Sequence, residues 1–421
     1  MKVGALCIKK EGAHFDTPSL INKVIKLNYS VAELRMKVLY DHQAFTMQYF
    51  GGVSKCFCEL ISHFPNGVET EISIVQSDNV HLKQSGLCGK LHPVDIDSYK
   101  FREQYNFRGA YRLYCAVNKL FPSLPTAENI NKLKSIELLK SREYDIFHPT
   151  FFDSYFLPYL DGKPFVLTIH DMMPEIFLQY FGKNDMQIKG KKKLVDKASA
   201  IIAVSKQTKN DLIDILKVPE NKVTVIYHGG PQKEAITGDP IIKVPYFLYM
   251  GTRNAYKNFD RLVIAFSQVA ECYKNLLLVC TGGDFNASEM NLLQQYGVKD
   301  RVVHLFASEK DVKNLYAFAK AFIYPSLYEG FGMPILEAFA YGCPVLLNKK
   351  SCFLEIAGDA GVFFRVDNDI SDLREKMEEV LDWDDEKRNL VIQKGYERLT
   401  FFRWEESSRQ LLAVYHSVMN R

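Results

Sequence analysis

The chain has 421 residues, 47% of them hydrophobic and 24% charged, with a formal net charge of +3. That length exceeds what one hydrophobic core usually supports and predicts two domains of roughly 150 to 200 residues. The balance of charge gives no electrostatic footprint for nucleic acid, and the longest apolar runs, 198–204 and 275–280, fall well short of the ~18 residues a membrane-spanning helix needs.

Residues 1–35 lack the apolar core and small-residue cleavage site of a signal peptide, which predicts a cytoplasmic protein. Because MKVLY at 36–40 is itself a plausible first strand, these residues are expected to be an N-terminal extension that packs poorly. From Met36 the pattern is an apolar strand, a polar loop, Gly51 and Gly52, then an amphipathic helix, the opening of a doubly wound sheet. Strand candidates follow at 71–75, 144–148, 164–170, 199–205 and 222–228. Helical patterns separate several of them, so a parallel sheet covered on both faces is expected.

Residues 229–245 lose periodicity and gather Gly and Pro, which reads as an interdomain linker. A second β/α series begins at 246–251 and continues with a helix near 258–271, strands at 275–283 and 302–306, a helix from about 309 and a strand at 321–326. The tail places Trp404, Leu411, Leu412 and Tyr415 at helical spacing, so it needs an apolar surface to cover. The expected organisation is a first α/β domain over 36–235, a second over 236–400, and a C-terminal helix over 401–421.

The nine cysteines are scattered without metal-ligand spacing, and reduced, mostly buried thiols are expected. Lys189, Lys191, Lys192 and Lys193 form a local cluster. A solvated helix face is its simplest reading; contact with an anionic membrane surface or a phosphorylated acceptor is the alternative.

In open α/β sheets ligands bind beyond the C-terminal strand ends. The noteworthy residues fall there: Gly51 and Gly52, His170, Gly251, Arg253 and Lys257, Gly282 and Gly283, Glu329 and Glu337. Glu329 and Glu337 are the only charged residues of the stretch 324–347. The turn Gly330, Phe331, Gly332, Met333 is followed by Pro334 and Ile335, a pattern of strand, loop and short buried helix. Buried carboxylates need donors, while Arg253, Lys257 and glycine-exposed amides suit an anion. A molecule carrying both a diphosphate and neutral diols satisfies both groups, and a nucleotide sugar has those parts. No GxGxxG follows the first strand of either domain, which weakens a dinucleotide. The Asp-x-Asp triplets Asp95/Asp97, Asp367/Asp369 and Asp382/Asp384 lie in polar stretches away from strand ends, so no metal is expected to hold the diphosphate.

The span from about Met36 to the C-terminus resembles the retaining glycosyltransferases of the GT-B fold, glycosyltransferase family 4. The resemblance is carried by GGVS (51–54), TIHD (168–171), IIAVSKQTKNDL (201–212), VTVIYHGG (223–230), GTRNAYKN (251–258), EGFGMPILEA (329–338) and AYGCPV (340–345). It implies two Rossmann-like domains facing across a cleft, with the C-terminal helix and Trp404 crossing back to the first. It also implies that Glu337 holds the ribose hydroxyls, Glu329 a hydroxyl of the transferred sugar, and Lys257 with Arg253 the diphosphate. The amides around Phe331 to Ile335 and of Gly52 would approach that diphosphate, and His170 would lie beside the sugar. Many family members place arginine directly after the strand-ending glycine, whereas here Thr252 stands there and Arg253 follows, which makes the role of Arg253 less secure than that of Lys257.

The resemblance further implies metal-independent transfer, with retention, from a UDP- or GDP-sugar to a glycan or lipid-linked saccharide, with no cofactor and peripheral contact with the inner membrane face. A sugar-nucleotide epimerase or hydrolase on the same frame is the alternative enzyme, and a non-catalytic sugar-nucleotide-binding subunit the alternative of another class.

Overall fold

The computed structural model describes residues 36–420 apart from 90, 95–106, 108, 122–125, 254 and 367–368. The N-terminal extension 1–35, Asp95, Asp97 and Asp367 therefore lie outside the described residues.

Twelve strands fall into two groups among these residues, and each strand pairing is parallel. In the first group β1 (Met36–Tyr40) lies between β2 (Val68–Ile72) and β3 (Ile146–His148). β4 (Val166–Ile169), β5 (Ala200–Ala203) and β6 (Val223–Val225) pair in chain order. A single bridge from Phe147 to Phe165 joins the two trios, giving the order β2-β1-β3-β4-β5-β6.

The second group comprises β7 (Tyr246–Tyr249), β8 (Leu277–Cys280), β9 (Val302–His304), β10 (Ala321–Tyr324), β11 (Val345–Asn348) and β12 (Gly361–Phe364). Its order is β12-β11-β10-β7-β8-β9. Strand order reverses between β7 and β10, the switch point where a doubly wound sheet opens a crevice for a ligand. The central strands AIIA, YFLY, AFIY and VLLN are wholly buried, as continuous apolar runs must be when helices cover both faces of a sheet.

Two edge strands depart from the sequence expectation. β2 covers VETEI rather than residues 71–75 and is half-exposed, because an edge strand tolerates the polar Glu69 and Glu71 that obscure it. β12 has no counterpart in the sequence reading; it is four residues long and follows directly on a turn.

The last helix, Trp404–Met419, returns to the first group as expected. Trp404, Leu411, Leu412 and Tyr415 share one apolar cluster with Val38, Tyr40, Phe57 and Ile146. The Tyr415 hydroxyl lies 2.8 Å from that of Tyr40 and 2.5 Å from His148 Nδ1, and Ser408 Oγ donates to the Leu60 carbonyl at 2.8 Å. The C-terminal segment therefore supplies both apolar cover and a buried polar bridge to the first domain. Among the described residues no helix is long and apolar enough to cross a membrane, and the eight described cysteines are unpaired.

Tyr415→Phe keeps the apolar contact and deletes the hydroxyl between Tyr40 and His148. It should destabilise the chain by about 1–3 kcal/mol, the cost of leaving a buried polar group without its partner. Urea unfolding checks this, and an unchanged midpoint would show that the bridge carries no stability.

Candidate functional site

Lys257 ends a short 3-10 turn after β7, and Glu329 follows β10. Because β7 and β10 are neighbours at the reversal of strand order, their C-terminal loops meet. Lys257 Nζ donates to Glu329 Oε1 at 2.6 Å, both side chains being largely buried. Burial alone would lower the Lys257 pKa; the neighbouring Glu329 carboxylate more than offsets this and holds the Lys257 ammonium above its ordinary value. Burial and the same carboxylate push the Tyr324 phenol well up.

Glu337 lies on the helix Met333–Ala340, whose N-cap, Gly332, is left-handed and makes no side-chain cap. Pro334 has no N–H and Ile335 N donates to the Gly332 carbonyl at 3.0 Å, so of the first three helical residues it is Met333 that keeps a backbone N–H for another acceptor. Glu337 Oε1 faces Lys55 Nζ at 3.4 Å, and Tyr316 donates to its Oε2 at 3.4 Å. Lys55 belongs to the helix Gly52–Ser62 of the first group, so this pair spans the cleft. A polar cavity of about 350 Å³ adjoins it, lined by Lys55, Glu309, Lys313, Met333 and Tyr341 among others. A larger cavity of about 670 Å³ lies behind, around Pro231–Lys233 and Trp404. Trp404 lines that second cavity, and none of the candidate donor-binding residues does.

The two domains are pinned beside this site. A Cβ on Gly330 would fall 1.8 Å from the His170 carbonyl oxygen, so only glycine fits there. Ser205 caps the helix Lys206–Leu216 and also donates to the Gly330 carbonyl at 2.6 Å. Glu355 reaches the same helix N-terminus, accepting from Lys206 N at 2.6 Å and from the Tyr227 hydroxyl at 2.7 Å. Tyr328 donates to Asp211 at 2.7 Å and accepts from Met172 N at 3.2 Å.

His170 follows β4, edge-on to Phe57 and stacked on His228. Burial, with Lys191 adding to it, lowers its pKa to about 3, so the ring is neutral at physiological pH. Its Nε2 is buried without a hydrogen-bond partner among the described residues. Gly51 is the N-cap of the helix Gly52–Ser62, against the Gln48 side chain, whereas a Cβ on Gly52 would meet open space.

Arg253 is placed apart from these groups. Its Nε donates to Glu289 at 3.0 Å, its Nη2 donates to the carbonyls of Gly283 and Asp284, and its guanidinium lies over Phe285. It ties the β7 loop to the β8 loop, where Gly282 packs on the Gly251 carbonyl. The polar triplets have local partners as well: Asp384 caps the helix Asp385–Leu399, Asp382 accepts from Tyr273, and Asp369 accepts from Ser371.

Comparison with known proteins bears on this cleft. The family described as Glycosyltransferase Family 4 matches residues 92–230, and that described as Glycosyl transferases group 1 matches residues 234–398. The first match runs over β3 to β6 and the second over β7 to β12. The chain belongs to glycosyltransferase family 4. This glycosyltransferase is 27% identical over 274 residues to O-antigen chain mannosyltransferase B of Escherichia coli, covering 59% of this chain and 69% of that one. It is 28% identical over 206 residues to O-antigen chain mannosyltransferase RfbU of Salmonella typhimurium, covering 49% of this chain and 58% of that one. A crystal structure of Anabaena Alr3699/HepE in complex with UDP and glucose superposes with a TM-score of 0.67 at 17% identity, over 91% of this chain and 100% of that one. Its fold is the GT-B arrangement.

Two lysines beside the candidate site take on their roles only in the structure. Lys55 stands three positions after Gly52 and so follows one helical turn from the glycine pair, a spacing that could have flagged it. The place of Lys191 in the sequence groups it with Lys189, Lys192 and Lys193 on one solvated helix face, and the structure corrects this. Its side chain is 0% exposed and ion-pairs with Glu175 at 3.0 Å and Asp171 at 3.6 Å, while Glu175 is 3% exposed. A helix alternates faces within a turn, so Lys191 points inward while Lys189, Lys192 and Lys193 remain exposed.

Lys191→Met would leave Glu175 buried without its cation. It should cost about 3–5 kcal/mol in urea unfolding; a change below ~1 kcal/mol would show that Glu175 finds other compensation. Burial also lowers His42, His148 and His228 to about 3. With His170, these four rings bind protons in the unfolded chain, but not in the folded one, between roughly pH 6.5 and pH 3. Stability conferred by their burial is full above pH 6.5 and falls as the pH drops through that window. The unfolding midpoint should therefore fall steadily between pH 6.5 and 4.5, and a flat profile would contradict the neutral assignment.

Proposed function

We propose that this glycosyltransferase moves a hexosyl unit from a nucleotide-diphospho-sugar to a glycan or lipid-linked saccharide, retaining the anomeric configuration and requiring no metal. The observation that carries the reading is the buried Lys257–Glu329 pair at the strand-order reversal, beside the uncapped N-terminus of Met333–Ala340. That arrangement offers one cation and a free backbone amide to a diphosphate, and carboxylates to sugar hydroxyls.

In this reading Lys257 and the amides between Gly330 and Ile335 take the charge that develops on the departing diphosphate. Such preorganised groups are the largest source of rate enhancement in transfers of this kind. Glu337 accepts from the ribose hydroxyls, which requires Lys55 to yield its place or turn to the phosphates. Glu329 accepts from a hydroxyl of the sugar while holding Lys257. His170, being neutral, acts through a hydrogen bond at its unpartnered Nε2 rather than as a cation. Arg253 acts indirectly, by fixing the loops that carry Gly251, Gly282 and Gly283. Gly52 lets its backbone approach the phosphates, and the open space around it permits that approach.

The first domain, ending near residue 235, holds the acceptor; the second, to about residue 400, holds the donor. The names of the O-antigen mannosyltransferases above point to a mannosyl unit and a growing surface polysaccharide. Lys189, Lys192 and Lys193 supply positive charge for contact with an anionic membrane from the cytoplasmic side.

A thermal-shift screen of UDP-, GDP- and ADP-sugars, followed by turnover with a lipid-linked acceptor, tests the reaction. One class of donor should stabilise the chain and be consumed with transfer; free sugar as sole product would favour a hydrolase. Glu337→Ala should weaken donor binding about tenfold or more, as loss of a charge-assisted hydrogen bond does, whereas His170→Ala should lower kcat with little change in donor affinity. Equal donor affinity in wild type and Glu337→Ala would contradict the ribose assignment. Gly52→Ala should leave the unfolding midpoint unchanged and weaken donor binding; unaltered binding would remove Gly52 from the site.

A further inference from the structure

Three soft donors converge next to the sugar position from separate elements. Cys56 projects inward from the helix Gly52–Ser62, His170 follows β4, and His228 lies just beyond β6. Cys56 Sγ lies 3.2 Å from His228 Nδ1. Cys56 is 3% exposed and His228 7%. One nitrogen of each ring and the sulfur all lie within 4.8 Å of one another. The cysteine–histidine contact satisfies two of the three residues, but it leaves His170 Nε2 buried without a partner among the described residues.

A tetrahedral ion with metal–sulfur and metal–nitrogen distances of about 2.3 and 2.0–2.1 Å holds its ligand atoms roughly 3.3–3.6 Å apart. The three side chains approach that separation and would close on an ion by movements on the order of 1 Å. The donor set, one thiolate and two imidazoles, suits zinc and its neighbours rather than magnesium or calcium. Three protein ligands leave a fourth position to water, the pattern of an accessible site rather than a sealed structural one.

We propose that Cys56, His170 and His228 form a binding site for a thiophilic divalent transition metal, with Zn²⁺ as the expected occupant, and that occupancy withdraws His170 from the sugar and arrests transfer. The arrest rests on the role given to His170 above; the binding does not. Both rings are held neutral by burial and are ready to coordinate, while burial pushes the Cys56 thiol up. Coordination therefore releases the thiol proton to solvent, and affinity rises with pH. This ion is distinct from any metal on the diphosphate, because its ligands all come from the first domain and the Lys257–Glu329 pair belongs to the second.

The test is titration of the chelator-treated full chain with Co²⁺. The wild type should bind one equivalent, with a thiolate-to-cobalt charge-transfer band and tetrahedral ligand-field absorption, both abolished by added Zn²⁺. Cys56→Ser should lose the charge-transfer band, and His228→Gln should weaken binding about tenfold or more; if one variant fails to fold, the other decides. An identical spectrum in wild type and Cys56→Ser, or no stoichiometric binding, would overturn the site. Zn²⁺ should inhibit transfer by the wild type at one equivalent and leave Cys56→Ser active. Equal inhibition of both would overturn the arrest. Should the chain prove inactive with every donor, the cobalt spectrum still decides the site, so failure of the transferase reading and failure of the metal site are separable.

Discussion

A buried ammonium held by one carboxylate, Lys257 against Glu329 at 2.6 Å, is the interaction around which the cleft is built. Two neighbouring parallel strands end side by side at the reversal of strand order, and each contributes one charge to the pair. Taking two charges out of water costs several kcal/mol per ion, so such a pair is a poor source of stability in itself. It is better understood as a charge kept ready. In the proposed reading a diphosphate would supply Lys257 with further negative partners without asking it to be desolvated again, and preorganisation of that kind lowers the cost of stabilising a departing anion.

The loop that carries Glu329 also brings the two domains together. The Gly330 carbonyl accepts from Ser205, and its α carbon leaves no room for a side chain against His170. Glu355 caps a helix of the opposite domain. The loop carrying Glu329 is thus fixed from both sides, and the neutral His170 ring is delivered to the same seam. Lys55 and Glu337 face each other across the opening at 3.4 Å, a looser contact than the pair at the centre. In the proposed reading it is the contact that a ribose would displace.

Much of this was legible in the sequence. The central strands announce themselves as short apolar runs between glycine turns, and the spacing of Glu329 and Glu337 around GFGMP places both acids at a strand end and a helix start. The apolar spacing of Trp404, Leu411, Leu412 and Tyr415 correctly demanded a surface to cover. What the sequence concealed was long-range and geometric. The direction of the Arg253 side chain depends on Glu289 and Phe285, which no local pattern connects to it. Lys191 differs from the lysines around it only in the way its helix is turned. Cys56, His170 and His228 carry no metal-binding spacing because the sheet, not the chain order, brings them together. Edge strand β2 was obscured because one-sided burial tolerates its polar Glu69 and Glu71, and β12, though apolar, because it is only four residues long and follows directly on a turn.

The account stands or falls on where the donor lies. A crystal of the full chain soaked with the nucleotide sugar that stabilises it should show the diphosphate against Lys257 and the N-terminus of Met333–Ala340. The ribose should lie on Glu337, with Lys55 displaced, and the sugar between Glu329 and His170. Donor density in the cavity behind the linker, or a bound donor that leaves Lys257 and Glu329 untouched, would contradict it.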